Sequence, residues 1–135
     1  MRITALVLWV TTACVGLYLL PIWLSRGVRQ RAAKLSRYPL ILIALHPVFA
    51  VTGLGFWVTY VLTARVRFAW MAFGMLWGSA LLGFALLTRW LTARGGRHVW
   101  RAERHFPRNA VVLHAVVGVA TFVLVLITAT IASHS

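Results

Sequence analysis

Two histidines sit where an ionisable side chain is costly. His46 lies in Leu45-His46-Pro47-Val48-Phe49-Ala50 and His114 in Leu113-His114-Ala115-Val116-Val117-Gly118, each well inside a long apolar block. Titratable groups at such depth mark a site by default. No block holds Asp, Glu, Lys or Arg in its interior, so the imidazoles have no carboxylate beside them. Neutral imidazoles without carboxylate or thiolate suit axial ligation of a haem iron, which asks for no other protein donor. They make a poor path for divalent cations, which want oxygen-rich or mixed donor sets.

The same absences remove other chemistries. A proton- or ion-coupled carrier lacks the groups that would hold its charge. The single cysteine, Cys14, rules out thiolate clusters, zinc ribbons and an intrachain disulfide, and is expected to pack. There is no nucleophile with a base and an orienting group, and no phosphate-cradling loop, so a hydrolase or ATPase is not expected. An electron-transfer or accessory protein fits better than an enzyme with its own substrate.

The elements that must position these rings follow from composition. The 135 residues are 61% hydrophobic with a mean hydropathy of +0.87, and one acid, Glu103, faces fourteen Lys and Arg. A water-soluble domain of this size could not hide so much apolar surface. The apolar residues form four blocks, about 3–24, 38–62, 66–87 and 109–132, each near the ~20 residues a helix needs to cross a bilayer. The first is too long for a signal-peptide core. The expected fold is all-α: an integral membrane four-helix up-down bundle, one transmembrane domain over 1–135. The turn Thr63-Ala64-Arg65 is short enough to make the second and third helices antiparallel neighbours.

Charge sets the orientation. Connectors 25–37 and 88–108 carry five and six Lys or Arg, while the opposite side carries Arg2, Arg65 and Arg67. Positive loops stay in the cytoplasm, which puts both termini outside (N-out/C-out) in a multi-pass protein of a bacterial plasma membrane. Anionic headgroups are then the natural neighbours of the basic connectors. The net charge of +13 needs no nucleic acid to explain it. Gly95-Gly96 breaks the third helix, and residues 99–106 read as a short interfacial helix. Trp9, Trp23, Trp70, Trp90 and Trp100 fall near block ends, as an aromatic belt would; Trp57 and Trp77 lie deeper and read as packing.

His46 is eight residues into its block and His114 five, or ~12 and ~8 Å past the cytoplasmic ends. The second and fourth helices run the same way and occupy one diagonal. Neighbouring axes ~8–10 Å apart make that diagonal ~12–14 Å. A flat macrocycle clamped by an imidazole from each side needs such a gap, whereas direct ring contact would require a pinched bundle. Pro47 frees the carbonyl of Ile43 and bends the helix beside His46, which could aim the ring inward. Small residues, Gly53 and Gly118 with Gly16, Gly55, Gly74, Gly78 and Gly83, would let the group approach the backbone. Arg37, Arg104 and Arg108, with His105, stand where two propionates would emerge.

A simpler role stands beside this one. Each histidine could be neutral and hydrogen-bonded to a neighbouring backbone or hydroxyl, such as Thr52, Thr121 or Ser79, and serve packing alone. Gly74-Met75-Leu76-Trp77-Gly78 likewise reads as a close-packing motif. The two halves of the chain share a faint likeness, with no repeat of solenoid length.

The segments Leu-His-Pro-Val-Phe-Ala-Val-Thr-Gly at 45–53, Glu-Arg-His-Phe-Pro at 103–107 and Val-Val-Leu-His at 111–114 resemble those of small four-helix membrane proteins of high-GC actinobacteria. More distantly, histidines on alternate helices are similar to the core of the cytochrome b561 group, which uses four histidines for two haems. Only His46 and His114 match, and the third helix has no histidine, so the resemblance implies one haem at most, over residues 38–132. The expectation is therefore one haem b, ligated by His46 and His114, in electron transfer or as a structural group of a membrane redox assembly. Its partners would be a quinone or redox-complex subunits, with homo-oligomerisation open. The alternatives are a non-catalytic accessory subunit that packs against partner helices, and a small oligomeric channel or carrier.

Overall fold

A computed structural model of the chain describes residues 1–32, 40–95 and 107–134. Four helices account for nearly all of them: α1 (Arg2–Ala32), α2 (Leu40–Thr63), α3 (Val66–Gly95) and α4 (Arg108–His134). Each contains a stretch long and apolar enough to cross a membrane, so the fold is an all-α four-helix bundle of membrane-spanning type. The expected interfacial helix at 99–106 lies outside the described residues.

α1 and α3 run beyond their apolar blocks, to Ala32 and Gly95 rather than Leu24 and Leu87. Arg and Leu are good helix formers, so leaving the hydrocarbon does not by itself end a helix. Hydroxyls inside the spans turn back on their own helices: Thr11 Oγ1 donates to Val7 O at 2.8 Å, and Thr128 Oγ1 to Leu124 O at 2.7 Å. In a layer without water, that bond satisfies a polar group locally.

α2 packs most extensively on α3 and α1 on α4, with smaller α1–α2 and α3–α4 interfaces. The helices therefore stand in the ring order α1, α2, α3, α4, with α2 and α4 on one diagonal. The outward faces are apolar: Leu17, Val51, Phe84 and Val119 are each more than 60% exposed, as suits a lipid solvent. The α2–α3 turn is closed by Ala64 N–H donating to Tyr60 O at 2.8 Å, with Ala64 in the left-handed region at φ 53°.

The bundle is divided along its length. In the half that carries Met1, a buried cluster of Ala5, Trp9, Trp57, Tyr60, Ala69, Ala72, Leu76, Val125 and Ala129 fills the centre. Trp57 Nε1 donates to Arg2 O at 3.2 Å there, and Trp9 lies 6.3 Å from Trp57 between ring centres. Trp9 is thus a core residue and not part of an interfacial belt, because its place about two turns inside α1 points it at the axis. Trp77, read as packing, does pack against Phe73 and Phe122, with half its surface exposed. Cys14, expected to pack, is exposed. Both central histidines lie in the other half.

Candidate functional site: a facing imidazole pair

His46 and His114 are each six residues past the first residue of their helices, Leu40 and Arg108. Their ring contact places them at a similar depth, as the apolar blocks suggested. Both rings turn into the bundle and meet across the α2–α4 diagonal, with centroids 6.0 Å apart and planes at 71°. The two rings are therefore in direct edge contact. A helix with its side chains is ~10–12 Å across, so two facing rings take up much of a diagonal of ~12–14 Å.

Each ring is held by the helix beside it. His46 Nδ1 donates to Ser79 O on α3 at 2.9 Å, and His114 Nδ1 donates to Thr12 O on α1 at 3.0 Å. A carbonyl can only accept, so in both rings the proton sits on Nδ1 and the neutral imidazole keeps its Nε2 lone pair. Ser79 Oγ also lies 3.2 Å from His46 Nδ1 while donating to His46 O at 3.1 Å. Thr12 Oγ1 instead donates to Leu8 O at 2.8 Å and lies 3.3 Å from Thr121 Oγ1.

A glycine completes each seat. A Cβ on Gly83 would lie 2.9 Å from His46 Cε1, and one on Gly16 would lie 3.0 Å from His114 Cε1. Any larger residue would force the imidazole to shift. These two glycines act here by their absence of bulk, which lets a ring edge lie against the neighbouring helix.

The remaining expected residues fall differently. Gly118 borders the Thr12 seat, its notional Cβ 3.7 Å from Thr12 Cγ2. Gly53 belongs to the aromatic half: it accepts the edge of Trp9, whose Cζ2 would be 2.9 Å from a Cβ, together with Met75. It is placed by packing and not by the histidines. Gly78 receives Phe49, in keeping with a close-packing motif, whereas Gly55 and Gly74 face open space. Arg108 is exposed in a shallow groove on the outside of α4 with Asn109, Val112, Leu113 and Val116. Arg37, Arg104 and His105 lie outside the described residues.

Of the hydroxyls considered as partners, Ser79 meets a histidine, Thr121 meets Thr12, and Thr52 is exposed. A backbone acceptor was anticipated and both rings have one, but Thr12 as its source was not. The available signal was the pair of segments Thr12-Ala13-Cys14-Val15-Gly16 and Ser79-Ala80-Leu81-Leu82-Gly83.

No third His, Cys, Asp or Glu joins the pair among the described residues. Chemically, the arrangement brings together two imidazoles, each with Nδ1 committed to a backbone carbonyl and Nε2 left with its lone pair. No family model, curated protein or solved structure matches the chain.

Proposed function

We propose that this multi-pass membrane protein is a small b-type haem protein, with one haem held between His46 and His114 for electron transfer or as a structural group of a membrane redox assembly. The observation that carries this reading is the 6.0 Å separation of two inward-facing rings whose Nδ1 atoms are both bonded to backbone carbonyls. Metal–imidazole bonds of ~2 Å, with ring radii of ~1 Å, put the centroids of two opposed ligands ~6 Å apart. Histidine ligands characteristically donate their other ring N–H to a carbonyl or carboxylate, which fixes the tautomer and raises ligand basicity. Donor type, Nδ1 partners and ring spacing thus support this reading.

The haem would supply one-electron redox chemistry when bound. The chain's own residues orient and insulate it. Thr12 O and Ser79 O hold the Nδ1 protons, Gly16 and Gly83 let the rings lie flush, and the apolar walls exclude water. Arg108, at the same end of the bundle as the histidines, is one described cation that could serve a propionate. A lone haem passes single electrons, so a quinone or the subunits of a larger complex would act as donor and acceptor.

A second reading draws on the same hydrogen bonds. Both rings are already satisfied at Nδ1 and packed against glycine, which suffices for a cofactor-free accessory subunit held together by histidine–carbonyl links. The two readings part on one measurement, the absorption spectrum of the protein purified in mild detergent. A Soret band with the split bands of a six-coordinate reduced haem, lost in His46→Ala and in His114→Ala, is the expected result. A colourless protein that stays colourless when haem is added would sink the haem and leave the packing role.

A further inference from the structure

The two seats are the same device built twice. In each, a Ser or Thr carbonyl accepts the imidazole N–H, and a glycine four residues later makes room for the ring. Thr12 and Ser79 are 67 positions apart, as are Gly16 and Gly83; the histidines are 68 apart. At the same offsets the sequence pairs Trp23 with Trp90, and Tyr38-Pro39 with Phe106-Pro107. The packing follows suit, since exchanging α1 with α3 and α2 with α4 exchanges the two large interfaces with each other and the two small ones with each other.

We propose that the chain is a fused pair of equivalent helical hairpins, α1–α2 and α3–α4, related by a pseudo-twofold along the bundle, and that the Ser/Thr-Ala-x-x-Gly turn of each hairpin is the positioning element for the histidine of the other. The seats are exchanged: His46 of the first hairpin docks on Ser79 and Gly83 of the second, and His114 of the second docks on Thr12 and Gly16 of the first. Neither hairpin orients its own ring. The imidazole pair straddles the pseudo-twofold axis, so a bound group meets two equivalent donors on its two faces. In geometry the inference stands without a cofactor; in chemical purpose it rests on the haem reading. Thr12, Gly16, Ser79 and Gly83 are positioning residues that reach the ligand only through the imidazoles.

The test is nuclear magnetic resonance of full-length protein labelled with 15N-histidine in detergent micelles, kept under dithionite so that any six-coordinate haem is diamagnetic. In the wild type, both central histidines should show a one-bond N–H coupling at Nδ1 and none at Nε2, whether or not a Soret band is present. Gly83→Ala should shift the His46 resonances and spare those of His114. Gly16→Ala should do the reverse, by a similar amount, while Gly55→Ala, facing open space, moves neither. Protonation at Nε2 in either wild-type ring, or a glycine substitution that moves the histidine of its own hairpin instead, overturns the exchanged seats. The wild-type coupling decides the matter even if a glycine variant fails to fold. A colourless sample with correct couplings removes the haem and keeps the seats, so the two failures are distinct.

Discussion

The imidazoles of His46 and His114 face each other across the bundle at 6.0 Å and 71°, although 68 positions separate them in the chain and their helices are not packed neighbours. Each is tethered to the backbone of an adjacent helix, so neither ring can swing outward without breaking a bond in a medium that offers no replacement.

Because the seats are equivalent, the two imidazoles proposed as haem ligands should be equivalent as well. His46→Ala and His114→Ala should each abolish the six-coordinate spectrum and lower haem retention by more than the ~10–100-fold that loss of an outer-shell partner costs a metal site. The check is pyridine haemochrome quantification on matched amounts of folded protein. Unchanged retention in one variant would mean that a different residue supplies that ligand.

Pro47 follows His46 directly, but the equivalent position after His114 is Ala115, and His114 is seated just as well. Proline is therefore not what aims the ring. Pro47→Ala should leave the optical spectrum and the Nδ1 tautomer unchanged and stabilise the bundle, by less than the ~3 kcal/mol that proline costs a soluble helix. Loss of the six-coordinate signature would restore proline as the orienting element.

Ala64 holds a left-handed backbone conformation at the end of α2, where glycine is the usual residue. Ala64→Gly should raise stability by about 0.5 kcal/mol, the relief of Cβ strain being partly offset by the freer unfolded chain. Thermal unfolding in detergent, followed by circular dichroism, is the measurement; a drop in the midpoint would mean that the turn is not left-handed at this residue.

Trp57 anchors the other half of the bundle, fully buried among Trp9, Tyr60 and the backbone of Arg2. Trp57→Ala should cost about 3–5 kcal/mol by opening a cavity, yet the folded fraction should keep the histidine spectrum of the wild type. A shifted spectrum in folded Trp57→Ala protein would show that the two halves are mechanically coupled.

Much of this molecule was legible in its residues. Four apolar blocks of membrane length, the two-residue break before Val66 and the placing of α2 opposite α4 follow from properties that neighbouring residues carry together: length, hydropathy and loop span. His46 and His114 stood out for a similarly local reason, as the two ionisable groups buried in such blocks. Their partners were not legible. Whether a ring reaches a carbonyl of Thr12 or Ser79, whether Gly16 rather than Gly53 makes room for it, and whether Trp9 faces lipid or core all depend on the rotation of each helix about its own axis. In a chain apolar on nearly every face, hydropathy says little about that rotation. Packing between segments distant in sequence decides it, and so only the assembled bundle could bring two imidazoles to 6.0 Å and lock both on the same tautomer.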